Sequence, residues 1–187
     1  MKQTLIALAE DKPGVLNRIA SLFRRRNYNI VSIVAGHSEK PGISRMTIVA
    51  DENDPHKRGN IYFSLLKLVN VVAVKDVSSL PCVIRECIMV KISAGPDRLN
   101  DLSNVIKPFG ARIVDMGNTT AIVEAMEDED TIRALIGALQ PFGILEMSRT
   151  GKIAMRRGKN GKLNANDQAD DLSWSPENLS AYHRTQE

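Results

Sequence analysis

The sequence predicts an α+β chain made of two βαββαβ sandwiches in tandem, each a four-stranded antiparallel sheet carrying two helices on one face. Three observations predict it. Residues 4–78 alternate β-branched runs with amphipathic stretches in the order βαββαβ, with a hairpin in the middle. After Pro81 the same order begins again. Both helices of the second half stop at one tripeptide, Pro108-Phe109-Gly110 and Pro141-Phe142-Gly143, which breaks the helix and releases the chain into a strand.

Each element follows from its residues. Thr4 to Ala9 is an apolar run and reads as the first strand. Pro13 suits a first helical turn, where its missing N–H is no loss. Leu16, Ile19, Ala20 and Phe23 then recur at i, i+3, i+4, i+7 as the inward face of the first helix. Arg24, Arg25 and Arg26 fall in its last turn, where cations complement the dipole, and Asn27 suits the left-handed conformation that ends it. Residues 29–39, NIVSIVAGHSE, form the second strand, Pro41-Gly42 a turn, and residues 43–50 the third strand. The second helix carries Ile61, Leu65 and Leu68 on a stripe beside Tyr62, Leu66 and Val69, and residues 71–78 make the fourth strand.

The second unit repeats this with a strand at 85–93, a helix through Leu99, Leu102 and Ile106, and strands at 111–117 and 119–126 around Asn118. A helix through Ile132, Leu135, Ile136 and Leu139 and a strand at 144–149 complete it. The pattern is the split-βαβ, ferredoxin-like sandwich, twice. Beyond Gly158 there is little apolar content and no sustained period, so residues 159–187 are expected to form a polar, mobile tail.

A length of 187 residues accommodates one ordinary domain or two small ones. The apolar share of 43% supplies material for a core and excludes disorder throughout. No apolar run nears the roughly 18 residues of a membrane span, and Glu10 and Asp11 interrupt the N-terminus too soon for a signal peptide. A cytoplasmic protein with no membrane partner is expected. Cys82 and Cys87 lie an odd number of residues apart on one strand, so they point to opposite faces and are read as reduced structural thiols. The net charge of +3 is too small to imply a polyanionic partner.

Catalytic groups are sparse. His37 falls near a hairpin turn, His56 at a helix start and His183 in the tail, none at ligand spacing from another histidine or a cysteine. Neither phosphate-cradling glycine motif occurs. The acidic run from Glu127 to Asp130 directly precedes a helix, where capping and the helix dipole account for it without a metal. Single-stranded RNA readers of this fold stack bases on aromatic residues of the central strands, and those strands hold none here. Neither catalysis nor nucleic-acid binding is expected, and the three arginines read as a solvated helix end.

One loop stands out. Asp11-Lys12-Pro13-Gly14 puts a glycine at a helix start, where unpaired N–H groups and the positive dipole end accept a carboxylate and the missing side chain permits approach. A tight strand-to-helix turn explains the same residues equally well.

EDKPGVL after the first strand, followed by NYNIVSI at the second, resembles the ACT domain, an amino-acid-sensing module. GVLNRIASLFRRRNYNIVSI with SRMTIVA, and then VKDVSSLPCVIRECIMVKI and SRTGKIAMRRG, are similar to the small regulatory subunits of acetolactate synthase, over about residues 1–158. The resemblance implies an ACT domain at 1–79, a C-terminal ferredoxin-like domain at 80–158 and the tail at 159–187. It further implies a non-catalytic homodimer that binds a branched-chain amino acid, usually valine. Such a subunit controls activity and feedback inhibition of a large catalytic subunit in valine, leucine and isoleucine biosynthesis. Thiamine diphosphate, magnesium and FAD would reside on that partner, with no cofactor on this chain. A stand-alone tandem sensor acting on another enzyme or on transcription is the alternative.

The implied ligand lies between two ACT domains, touching Asp11 to Leu16 of one chain and Asn29 with Ile30 of the other. Amides around Gly14, Val15 and Leu16 would hold the carboxylate, Asp11 or Asn29 the ammonium, and Leu16 and Ile30 the aliphatic side chain. Strand geometry agrees, because the second strand is an edge of a split-βαβ sheet and an exposed edge invites pairing.

Overall fold

The computed structural model describes residues 2–158, and the expected tail lies outside the described residues. The chain divides into two units, Met1–Val83 and Ile84–Ala154, with the described residues from Met155 on grouped with the first.

In the first unit β1 (Lys2–Glu10), α1 (Val15–Arg25), β2 (Asn29–His37), β3 (Ile43–Asp51), α2 (Pro55–Leu66) and β4 (Val71–Asp76) follow the predicted order. The sheet runs β2-β3-β1-β4, antiparallel throughout, so β2 is an edge. Leu5, Ala7, Ile48 and Val74 meet Ile19, Phe23, Ile61 and Leu65 of the helices in one core. The opposite sheet face is buried as well, at Ile6, Leu8 and Val49.

Three details differ from the sequence reading. Pro13, expected in the first helical turn, precedes the N-cap Gly14 and lies in the turn outside α1, because the left-handed Gly14 delays the helix to Val15. The buried stripe of α1 is Val15, Ile19, Leu22 and Phe23, while Leu16 and Ala20 are exposed. The helix is rotated by about one residue, because Val15 follows Gly14 directly and fills the core at the first turn. Helix α2 stops at Leu66, so Leu68 and Val69 lie in the turn before β4. The helix ends by design of its neighbours: Leu68 N–H and Val71 N–H bond the carbonyls of Leu65 and Leu68, tightening the chain into a turn.

The second unit repeats the fold with β5 (Cys82–Ile92), α3 (Leu99–Ile106), β6 (Arg112–Met116), β7 (Ala121–Glu127), α4 (Glu129–Leu139) and β8 (Ile144–Arg149), in the order β6-β7-β5-β8. Its own core joins Ile88, Val90 and Ile92 with Leu102, Ile132 and Leu135. Both Pro-Phe-Gly tripeptides form a 3-10 turn after the α-helix and end on a positive-φ glycine, Gly110 at 63° and Gly143 at 77°. A ninth strand, β9 (Ile153–Arg156), pairs with β5. Its four residues within a charged segment carry no period that sequence patterning can register.

Candidate functional site

The loop singled out by the sequence opens a cleft. Gly14 is the N-cap of α1 with φ 86° and no side-chain cap, a left-handed conformation that other residues adopt only under strain. Nothing lies within 4 Å of where its Cβ would be, so the glycine is required by backbone angle and leaves open space in front of the helix. A cleft of about 360 Å³ occupies that space, within the range of small-molecule sites. Residues 10–16 form one wall and Ala35, Ser44 and Met46 of the hairpin the other.

Helix geometry leaves the first-turn N–H groups without intrahelical acceptors. The Val15 N–H reaches back to the Lys12 carbonyl at 3.4 Å, and the Gly14 carbonyl accepts the first helical bond from Arg18. Side chains of the turn diverge in a useful way. Val15 is 4% exposed and belongs to the core, whereas Leu16 is 49% exposed on the cleft rim. Asp11 is fixed from three sides: its N–H donates to the Gly42 carbonyl at 2.8 Å, Ser44 Oγ donates to Oδ1 at 3.2 Å, and His37 Nδ1 stands 3.3 Å from Oδ2. Glu10 accepts from Asn70 Nδ2 at 2.6 Å and pairs with Lys12 Nζ at 3.1 Å. Donors at a helix start thus face the same cleft as fixed carboxylates, an arrangement with one end for an anion and another for a cation.

Asn29 and Ile30 are not part of this cleft. Strand β3 pairs antiparallel with both β1 and β2, so β2 runs parallel to β1 and only its end, at His37, reaches the loop. Asn29 sits opposite Asp51, at the far end of the nine-residue strand. At about 3.3 Å per residue the two ends are roughly 26 Å apart. Asn29 is exposed, and Ile30 packs its side chain against its own core. Within one chain the structure unites Asp11, Gly14, Val15 and Leu16 and separates them from Asn29 and Ile30.

Patterning missed Ala35, Ser44 and Met46 as cleft residues, and His37 as the partner of Asp11. Hairpin register was the available signal: a turn at Pro41-Gly42 places residues 35–37 and 44–46 beside the end of β1. Among the described residues no group of three or more His, Cys, Asp or Glu is gathered as a metal site, and no helix is long and apolar enough to cross a membrane.

Known proteins are similar to this chain along both units. Residues 5–73 match the family described as AHAS small subunit-like ACT domain, and residues 85–158 the family described as small subunit of acetolactate synthase. The chain is 40% identical over 158 residues to a probable acetolactate synthase small subunit of Archaeoglobus fulgidus, covering 84% of this chain and 98% of that one. It is 35% identical over 166 residues to the acetolactate synthase small subunit of Bacillus subtilis, covering 89% and 96%. The crystal structure of an acetolactate synthase small subunit from Thermotoga maritima superposes with a TM-score of 0.78 at 32% identity, over 84% of this chain and 98% of that one. Because both units are matched, each by its own family, and full-length relatives align nearly end to end, this chain belongs to the acetolactate synthase small-subunit family.

Proposed function

We propose that this chain is a regulatory subunit that sets the activity and feedback inhibition of a thiamine-diphosphate-dependent acetolactate synthase catalytic subunit. Its signal is a branched-chain amino acid, valine first, held where two copies of the chain meet. The supporting observation is that the Gly14 cleft and Asn29 lie at opposite ends of edge strand β2. Antiparallel pairing of two β2 edges brings the partner copy's first β2 residues to this copy's His37 end, beside the cleft. Val31 and Ile33 remain 43% and 38% exposed along that edge, apolar side chains that such pairing would cover.

In the complete site the amides of Gly14 and Leu16 hold the ligand carboxylate, and Asp11, already oriented by Ser44, or Asn29 of the second copy receives the ammonium. Leu16 contributes apolar contact together with Ile30 of the second copy. The helix end alone is worth about 0.3–2 kcal/mol to an anion, so affinity depends on the apolar contacts as well. Coupling to the catalytic partner of about 1–3 kcal/mol would then convert occupancy into inhibition.

Two experiments test this. Adding the purified chain to an acetolactate synthase catalytic subunit should raise its rate and confer valine sensitivity; no change in either property refutes the regulatory reading. For the shared site, a Gly14→Val chain and an Asn29→Ala chain should each bind valine poorly in calorimetry. Mixed dimers of the two should regain one native site, since one loop and one strand start are then intact in the same interface. Mixtures that bind no better than the separate variants would place the ligand within one chain.

A further inference from the structure

A second polar locus lies on the sheet face of the first unit that points away from its helices. Lys75 of β4 stands directly opposite Ile6 of β1, which pairs on its other side with Thr47 of β3. The neighbouring positions Leu5, Ala7 and Val74 belong to the helix-side core, so Lys75 is on the reverse face. The residue is 6% exposed, and its Nζ is shielded with no hydrogen-bond partner among the described residues. The Nε of Arg156 is buried and unpartnered in the same way.

Lys75 and Arg156 both lie within charge range of one turn, at Cys82. After Lys75 the chain turns at Val77, with Leu80 N–H bonding the Val77 carbonyl, and comes back at Cys82, whose Sγ lies 4.0 Å from that carbonyl. The Arg157 N–H donates to the Pro81 carbonyl at 2.9 Å, which seats Arg156 and Arg157 against the same turn. All of these residues group with the first unit. Burial pushes the Cys82 thiol up, and the charges of Arg156, Lys75, Arg157 and Arg45 oppose that shift.

Buried charges in proteins are paired or hydrogen-bonded, because an isolated one forfeits its hydration without return. A buried ammonium and a buried guanidinium N–H with no acceptor among the described residues therefore point to an acceptor supplied from outside them. An oxyanion fits better than a halide, since its several oxygens accept from a guanidinium and an ammonium at once. We propose that Lys75 and Arg156, with Arg157 alongside, form a binding site for a small oxyanion of the phosphate or carboxylate class, on the opposite sheet face from the Gly14 cleft.

The test uses the full chain in inorganic phosphate, sodium acetate or sodium chloride at matched ionic strength, read by thermal denaturation and by isothermal titration. A saturable rise in melting temperature with phosphate or acetate over chloride is expected, as binding to the folded state requires. Whichever of the two saturates at lower concentration names the class. Lys75→Met should weaken that binding at least about tenfold, the scale of one lost charged hydrogen bond. Arg156→Gln should do likewise and serves if Lys75→Met does not fold. The exposed Lys67→Met should retain full binding, which separates a site from general salting. Superimposable melts in the three salts with no heat of binding, or unchanged affinity in both site variants, would overturn the proposal.

Discussion

At the scale of single residues, Gly14 and Cys82 show how different physical causes fix a position. Gly14→Ala meets no neighbour, yet it forces a side chain into the left-handed region, so a loss of about 1–2 kcal/mol is expected in urea unfolding. Cys82 behaves otherwise. Its folded pKa is raised above the ordinary 9.0, first by burial, so the folded state retains its proton to higher pH than the unfolded chain does. Its contribution to stability is present below about pH 9 and is lost as pH rises through the higher folded value. Cys82→Ala should flatten the alkaline limb of the stability profile, and a thiol reagent at neutral pH should label Cys82 slowly in the native state.

At the scale of elements, helix starts and strand pairs carry the argument. Asp128 caps α4 by accepting the Thr131 N–H at 2.9 Å, and that hydrogen bond holds its carboxyl below the ordinary 3.8. Stability from this cap is present above that value and falls as pH drops through the lower folded pKa, so Asp128→Ala should reduce the steepness of acid unfolding. In the second sheet Glu86 of β5 is 6% exposed and paired with Arg149 of β8. Arg149→Met strands that buried carboxylate and is expected to cost about 3 kcal/mol in denaturant unfolding. Replacing Glu86 as well, by Leu, should restore much of the loss.

At the scale of the whole molecule, each unit has a separate buried core. Ile61 and Leu135 are both fully buried, in different cores, so Ile61→Ala and Leu135→Ala should each cost about 2–5 kcal/mol. As members of two different core clusters, they should have effects that add to within about 0.5 kcal/mol in the double variant. A larger deviation, measured by urea unfolding, would show coupling between the cores.

Local chemistry was strong enough to write most of the fold into the residues. The alternation of Leu5, Ala7 and Ala9, the glycines at 42, 110 and 143 and the positive φ of Asn27 act over a few residues, and each is where patterning expected a strand or a turn. The turn at Asp11 to Gly14 was legible for the same reason. The rotation of α1, which buries Val15 and exposes Leu16, depends on what the sheet presents to the helix, and a periodic stripe does not fix that angle. Ser44 and His37 reach Asp11, and Met46 reaches the cleft, only through the register of β2, β3 and β1, a relation among residues some thirty positions apart. The buried, unpartnered Lys75 likewise looks like an ordinary surface lysine until pairing assigns its face. Sequence alone determined the order of elements, the two-fold repeat and the open helix start, because short-range sterics and periodicity encode them. Only the tertiary structure decided which side chains share a cleft, because long-range strand pairing sets those neighbours.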